Sequence, residues 1–163
     1  MNAREVLIVE DNLGLLRGLK DNFQAQGYKV RTAGDGRTGL EAMLHDPPDL
    51  VLLDLMLPRL DGYELCRAAR SHHMRMPILI LSAKGEEMDI LRGFEMGADD
   101  YVTKPFSIRE VMVRANVLSR RAGSEQQRSH RLDRPRPHPS DPSDPSDKPP
   151  SPLLEDPRPG ETA

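Results

Sequence analysis

Tryptophan is absent from this 163-residue chain, cysteine occurs once, at Cys66, and phenylalanine and tyrosine occur three times each. A single cysteine excludes an intramolecular disulfide framework and a cysteine-rich zinc site, and it fits a reducing compartment. No long apolar run is present either. The amino terminus passes from Met1-Asn2-Ala3-Arg4-Glu5 into the four-residue stretch Val6-Leu7-Ile8-Val9, too short for a signal peptide or a membrane span. The expected setting is cytoplasmic. A large excess of one charge is also missing. Lys plus Arg total 23 against 26 Asp plus Glu, a net charge of −3, which argues against gripping nucleic acid by bulk positive charge.

What is present is unevenly distributed. Ten of the 15 prolines fall in the last 42 residues, and no Phe, Tyr or Trp follows Phe106. The end of the chain also carries Ser140-Asp141-Pro142, Ser143-Asp144-Pro145 and Ser146-Asp147-Lys148, a short low-complexity repeat. Such a segment buries too little apolar surface to offset backbone ordering, which costs roughly 1–2 kcal/mol per residue. The expected organisation is a folded domain over 1–121 and a disordered Pro/Ser/Asp-rich tail over 122–163. The first part holds 17 basic and 18 acidic residues and is long enough for one core.

Within 1–121 two patterns alternate. Val6–Val9, Leu50-Val51-Leu52-Leu53 and Ile78-Leu79-Ile80-Leu81 are short continuous apolar runs, as expected for strands buried on both faces of a parallel sheet. Tyr28–Thr32 and Tyr101–Thr103 read as two less buried strands. Amphipathic stretches separate them: Leu13–Gln26, Arg37–His45, Gly62–Arg70, Glu86–Met96 and Ser107–Arg120. Gly27 and Gly97 mark helix ends. Five strands alternating with five helices predict an α/β fold with a doubly wound five-stranded parallel sheet.

In such sheets ligands collect at the carboxyl ends of the strands. Glu10 and Asp11 follow the first strand, Asp54 ends the third, Ser82 the fourth, and Lys104-Pro105 follows the fifth. Three carboxylates, a hydroxyl and a lysine are therefore expected at one rim. Like charges about 4 Å apart repel by about 4 kcal/mol at an effective dielectric near 20, so three carboxylates held together call for a cation or a proton. Hard oxygen donors suit Mg²⁺. Lys104 offers a mobile charge for a phosphate oxygen, and Asp54 offers a carboxylate nucleophile for phosphorus.

Taken in order, Val9-Glu10-Asp11, Leu53-Asp54-Leu55-Met56-Leu57-Pro58 with Asp61-Gly62, Leu81-Ser82-Ala83, and Gly97 through Phe106 resemble a two-component response-regulator receiver domain of the CheY-like type. The resemblance covers roughly residues 4–121 and is closest to the OmpR/PhoB branch. It implies that Asp54 accepts a phosphoryl group from a sensor histidine kinase. It also implies that Glu10, Asp11, Asp54 and the Met56 carbonyl hold Mg²⁺, and that Lys104 contacts the phosphoryl group. Ser82 and Tyr101 would be the hydroxyl and the aromatic ring that move in concert with phosphorylation. The receiver would promote its own phosphoryl transfer and dephosphorylation without being a conventional enzyme.

For the output surface the resemblance implies a phosphorylation-promoted homodimer through the fourth helix, fifth strand and fifth helix. Leu91, Phe94 and Met112 would form its apolar patch, and Asp100 with Arg114 and Asp99 with Arg121 its ion pairs. The basic partner expected for Glu110 falls at Ile90, so one pair is missing. Members of that branch continue into a DNA-binding domain. Here the tail carries 6 basic and 8 acidic residues, so direct DNA binding and membrane association are not expected. Three other readings stand beside this one. An aspartate-nucleophile phosphatase would carry Asp-x-Asp, but position 56 is Met. A phosphorylation-independent scaffold would have lost part of the acidic pair, the aspartate or the lysine. A truncated or frame-shifted transcriptional regulator fits the abrupt change after Arg121.

Overall fold

The computed structural model describes residues 3–132, with side chains to residue 124. Strands and helices alternate along the chain: β1 (Glu5–Val9), α1 (Leu13–Ala25), β2 (Lys29–Ala33), α2 (Gly36–His45), β3 (Leu50–Asp54), α3 (Gly62–Ser71), β4 (Ile78–Ser82), α4 (Glu87–Glu95), β5 (Asp100–Thr103) and α5 (Ile108–Leu132). The strands form one parallel sheet in the order β2-β1-β3-β4-β5. This is the five-stranded CheY-like α/β fold. The sheet and every candidate site residue lie in the compact unit that ends at Gln126. Among the described residues, no helix is long and apolar enough to cross a membrane.

The apolar runs are continuous because both faces of the sheet are covered. Leu7, Val9, Val51, Leu53, Ile78 and Ile80 pack with Met43 of α2 and Leu65, Cys66 and Ala69 of α3. The alternate residues Val6, Ile8, Leu50, Leu52, Leu79 and Leu81 meet Leu19 and Phe23 of α1 and Val111, Met112, Ala115 and Leu118 of α5. Helices α1, α2 and α3 start on side-chain caps: Asn12 accepts from Leu15 N–H, Asp35 from Thr38 N–H and Asp61 from Glu64 N–H. Each such cap contributes about 1 kcal/mol.

One boundary differs from expectation. Helix α5 does not stop near Arg120 but continues to Leu132. Residues 121–132 contain no proline and include Ala122, Glu125, Gln126, Gln127 and Arg128, all good helix formers. The tail expected to be disordered lies, from Asp133 onward, outside the described residues.

Candidate functional site

Because all five strands run the same way, their carboxyl ends share one edge. Glu10 leaves the end of β1, Asp54 closes the adjacent β3, and Lys104 follows β5. Between β3 and β5 stands β4, which ends in the small, fully buried Ser82. Lys104 passes over it: its Nζ lies 3.2 Å from Glu10 Oε1 and 3.4 Å from Asp54 Oδ2. Its backbone N–H donates to the Ser82 carbonyl at 2.8 Å, and the Lys104–Pro105 peptide is cis. Carboxylate oxygens of Glu10, Asp11 and Asp54 all fall within 4.8 Å of one another.

These carboxylates are not equivalent. Glu10 is 1% exposed and Asp54 5%, whereas Asp11 faces solvent. Glu10 Oε2 accepts from the backbone N–H of Asp11 at 3.0 Å and of Asn12 at 3.3 Å. Burial, followed by the facing Asp54 carboxylate, pushes the Glu10 carboxyl up to about 7 against the restraint of the Asn12 amide and Lys104. Burial works to lower the Lys104 ammonium, but the Asp54 and Glu10 carboxylates outweigh it and raise it above its ordinary value. One lysine therefore does not fully neutralise the group. Three carboxylates without a thiol or imidazole make a hard-oxygen donor set that fits Mg²⁺.

The consequence for stability has a definite sign. A carboxyl raised by folding favours the native state most below its unfolded pKa, and that contribution is lost as pH rises through the folded value. Without a divalent cation, the melting temperature is expected to fall between about pH 5 and 8 as Glu10 ionises. Saturating Mg²⁺ is expected to flatten the decline. Thermal melts with chelator and with Mg²⁺ across that range check this; parallel curves would show that the carboxylates do not meet the ion.

A family model described as the response regulator receiver domain matches residues 6–116. The chain belongs to the response-regulator receiver family. It is 45% identical over 119 residues to the alkaline phosphatase synthesis transcriptional regulatory protein PhoP of Bacillus subtilis, covering 73% of this chain. The chain spans about half the length of that curated relative. Among solved structures, a Francisella response-regulator receiver domain matches at 34% identity and TM-score 0.70, covering 72% of this chain and 98% of that one. The BeF3-activated N-terminal receiver domain of Klebsiella pneumoniae RstA matches at 30% identity and TM-score 0.67, covering 71% and 98%. Receivers take phosphoryl groups from sensor histidine kinases and are not a conventional enzyme family.

The remaining residues expected of a receiver sit as follows. Met56 N–H donates to Asp54 Oδ1 at 3.2 Å, while its side chain is exposed. Ser82 Oγ accepts from Lys84 N–H at 3.1 Å. Tyr101 is 8% exposed and its hydroxyl donates to the Lys84 carbonyl. On α4, Leu91 and Phe94 are exposed. Met112 departs from expectation: it is 4% exposed and packs in the core, whereas Val113 is 57% exposed. Asp100 pairs with Arg114 at 3.1 Å within the chain. Asp99 is occupied within the chain too, by Arg70 Nη2 and by Ile78 N–H, both at 2.8 Å, while Arg121 is exposed.

Two residues of this neighbourhood escaped the sequence reading. Arg70, at the end of α3, donates to the carbonyls of Gly97, Met74 and Met76 as well as to Asp99, tying the loop before β4 to the loop before β5. Tyr63, in the first turn of α3, donates its hydroxyl to the Asp89 carbonyl at 3.1 Å. Neither carries a local motif; only the meeting of distant segments gives them partners.

Proposed function

We propose that this receiver accepts a phosphoryl group on Asp54 from a sensor histidine kinase and works as a phosphorylation-dependent switch. The observation that carries this reading is the Lys104 ammonium lying between the buried Glu10 and Asp54 carboxylates. Glu10, Asp11, Asp54 and the Met56 carbonyl would hold Mg²⁺, which when bound supplies positive charge to the phosphoryl oxygens. An Asp54 carboxylate oxygen forms the new bond to phosphorus as the bond from phosphorus to the donor nitrogen breaks. The electron pair leaves on that nitrogen, which takes up a proton. Lys104 balances charge on the transferred group, and the Ser82 hydroxyl donates to one of its oxygens. The working unit in this reading is 1–121, whose last helix continues to Leu132.

The test is incubation of the full chain with a small-molecule phosphodonor and Mg²⁺, followed by intact mass. One base-labile phosphoryl adduct is expected, none with chelator. Absence of an adduct with Mg²⁺ present would overturn the assignment.

For the output we propose phosphorylation-promoted homodimerisation through α4, β5 and α5. The exposed Leu91 and Phe94 support it, with Val113 rather than Met112 as the apolar residue of α5. Exposed ion pairs such as Asp100–Arg114 contribute only about 0–1 kcal/mol. A buried apolar side chain contributes about 1.5–3 kcal/mol, so Phe94→Asp is expected to weaken the dimer at least about tenfold. Sedimentation of the beryllofluoride-treated chain at tens of micromolar checks this. An unchanged monomer, or a dimer indifferent to Phe94→Asp, removes the proposal.

A further inference from the structure

Helix α4 is thinly anchored. Gly93 is its one buried residue, and its N-cap, Glu86, makes no side-chain capping bond, unlike those of α1, α2 and α3. Met88, Leu91 and Phe94 face outward. What meets its first turns is Tyr63 of α3. The Tyr63 ring is buried, its hydroxyl donates to the Asp89 carbonyl at 3.1 Å, and the Arg92 guanidinium carbon lies 4.4 Å from the ring centroid. From the loop before α4, Lys84 Nζ approaches the same ring at 5.6 Å.

Lys84 is also where Ser82 and Tyr101 converge. Its N–H is held by Ser82 Oγ and its carbonyl by the Tyr101 hydroxyl. The Tyr101 ring lies against α4 at Gly93, where an added Cβ would stand 3.0 Å from Tyr101 Cδ2 and 3.1 Å from Ile80 Cδ1. Tyr63 and Tyr101 belong to the same packed cluster. The inward place of Tyr101 thus has a wall made by α4, which Ile90 packs against the core and to which Tyr63 adds the hydroxyl bond at Asp89.

We infer that Tyr63 is a positioning residue for the Ser82–Tyr101 pair: by holding Asp89 and Arg92 it sets the α4 wall against which Tyr101 lies inward. The inference rests on the reading of Asp54 as phosphoacceptor and of Ser82 and Tyr101 as the groups that respond to it. Tyr63 touches neither Asp54 nor the carboxylate group, so it acts on phosphoryl recognition only through Tyr101 and the loop carrying Ser82 and Lys84. Tyr63→Phe keeps the ring and its packing and removes the hydroxyl, which bonds the Asp89 carbonyl and also contacts the Tyr101 hydroxyl. Gln at position 92 removes the exposed cation on the ring and leaves Tyr63 whole.

The test titrates the full chain, in saturating Mg²⁺, with beryllofluoride as the phosphoryl stand-in. Tyr63→Phe is expected to weaken its binding about 2–10-fold, the range of one ordinary hydrogen bond, and Arg92→Gln about 2–5-fold. Mg²⁺ affinity measured alone is expected to stay at the wild-type value. In a Tyr101→Ala background, Tyr63→Phe is expected to have no further effect. Wild-type binding of beryllofluoride by Tyr63→Phe overturns the inference. So does an equal loss of Mg²⁺ affinity, or effects of the two tyrosine substitutions that simply multiply. A wild-type chain that takes up no beryllofluoride overturns the Asp54 reading itself, and the role of Tyr63 falls with it.

Discussion

Asp54→Asn is expected to fold, to melt above the wild type in the absence of Mg²⁺ at pH 8, and to take up no phosphoryl group. The three outcomes have one cause. Asparagine keeps the shape of the side chain at the end of β3, so the packing around this 5%-exposed position is retained. It removes the nucleophilic oxygen, and an amide forms no acyl phosphate. It also removes the carboxylate that faces Glu10 and helps to hold the Glu10 carboxyl up near 7. With that repulsion gone, ionised Glu10 has Lys104 at 3.2 Å to itself. The gain in stability at alkaline pH is of the order of 1–2 kcal/mol, since one pKa unit corresponds to about 1.4 kcal/mol. Intact mass after phosphodonor treatment and thermal melts at pH 5 and pH 8 check both arms. An Asp54→Asn protein that gains the same adduct would move the phosphoacceptor elsewhere, and one that melts below the wild type at pH 8 would remove the electrostatic argument.

The gain at high pH and the loss of chemistry belong together. A rim that gathers three carboxylates is costly to the free domain and useful only when a cation and a phosphoryl group share it. This conflict between local stability and site chemistry is what made the site readable in the amino-acid sequence. Each apolar run that forms a strand is interrupted at its carboxyl end by a residue a buried strand would not otherwise carry: Glu10, Asp54 and Ser82. The parallel sheet then brings those ends to one edge. The fold was legible for the related reason that strands covered on both faces leave long apolar runs while the helices between them keep one polar side.

The features that were not legible depend on phase or on distance. In α5 the residues Val111, Met112 and Val113 are all apolar, so helical period alone does not say which faces out. The structure buries the first two and exposes Val113. Asp99 carries no sign in its own neighbourhood that Arg70, 29 residues earlier, holds it. Tyr63 follows the turn Asp61-Gly62 like any buried helix residue, and its hydroxyl finds Asp89 only once α4 is laid beside α3.

Gly62→Ala is expected to damage both stability and phosphoryl uptake without touching a charged or nucleophilic group. An ideal Cβ at position 62 would stand 2.5 Å from the Asp54 carbonyl oxygen, 2.7 Å from Leu55 Cα and 3.0 Å from Leu55 Cδ2. Two of these three are backbone atoms, which cannot swing aside as a side-chain tip can. The same glycine donates its N–H to the Leu55 carbonyl at 2.9 Å, so α3 starts in direct contact with the segment that carries Asp54. Alanine's better helix propensity, up to about 1 kcal/mol in a helix interior, acts in the opposite direction and is small at the first helical position. Forcing a methyl group into a closed space costs about 1–3 kcal/mol, and here the relief has to come from shifting the end of β3. Gly34 provides the contrast: a Cβ there meets nothing within 4 Å, and Gly34→Ala is expected to melt within about 0.5 kcal/mol of the wild type. The measurement is a pair of thermal melts together with phosphoryl adduct yield at a fixed time. Gly62→Ala should lose several degrees and most of the adduct, while Gly34→Ala keeps both. Equal behaviour of the two variants would mean that β3 and its aspartate tolerate movement that the close packing of α3 against them denies.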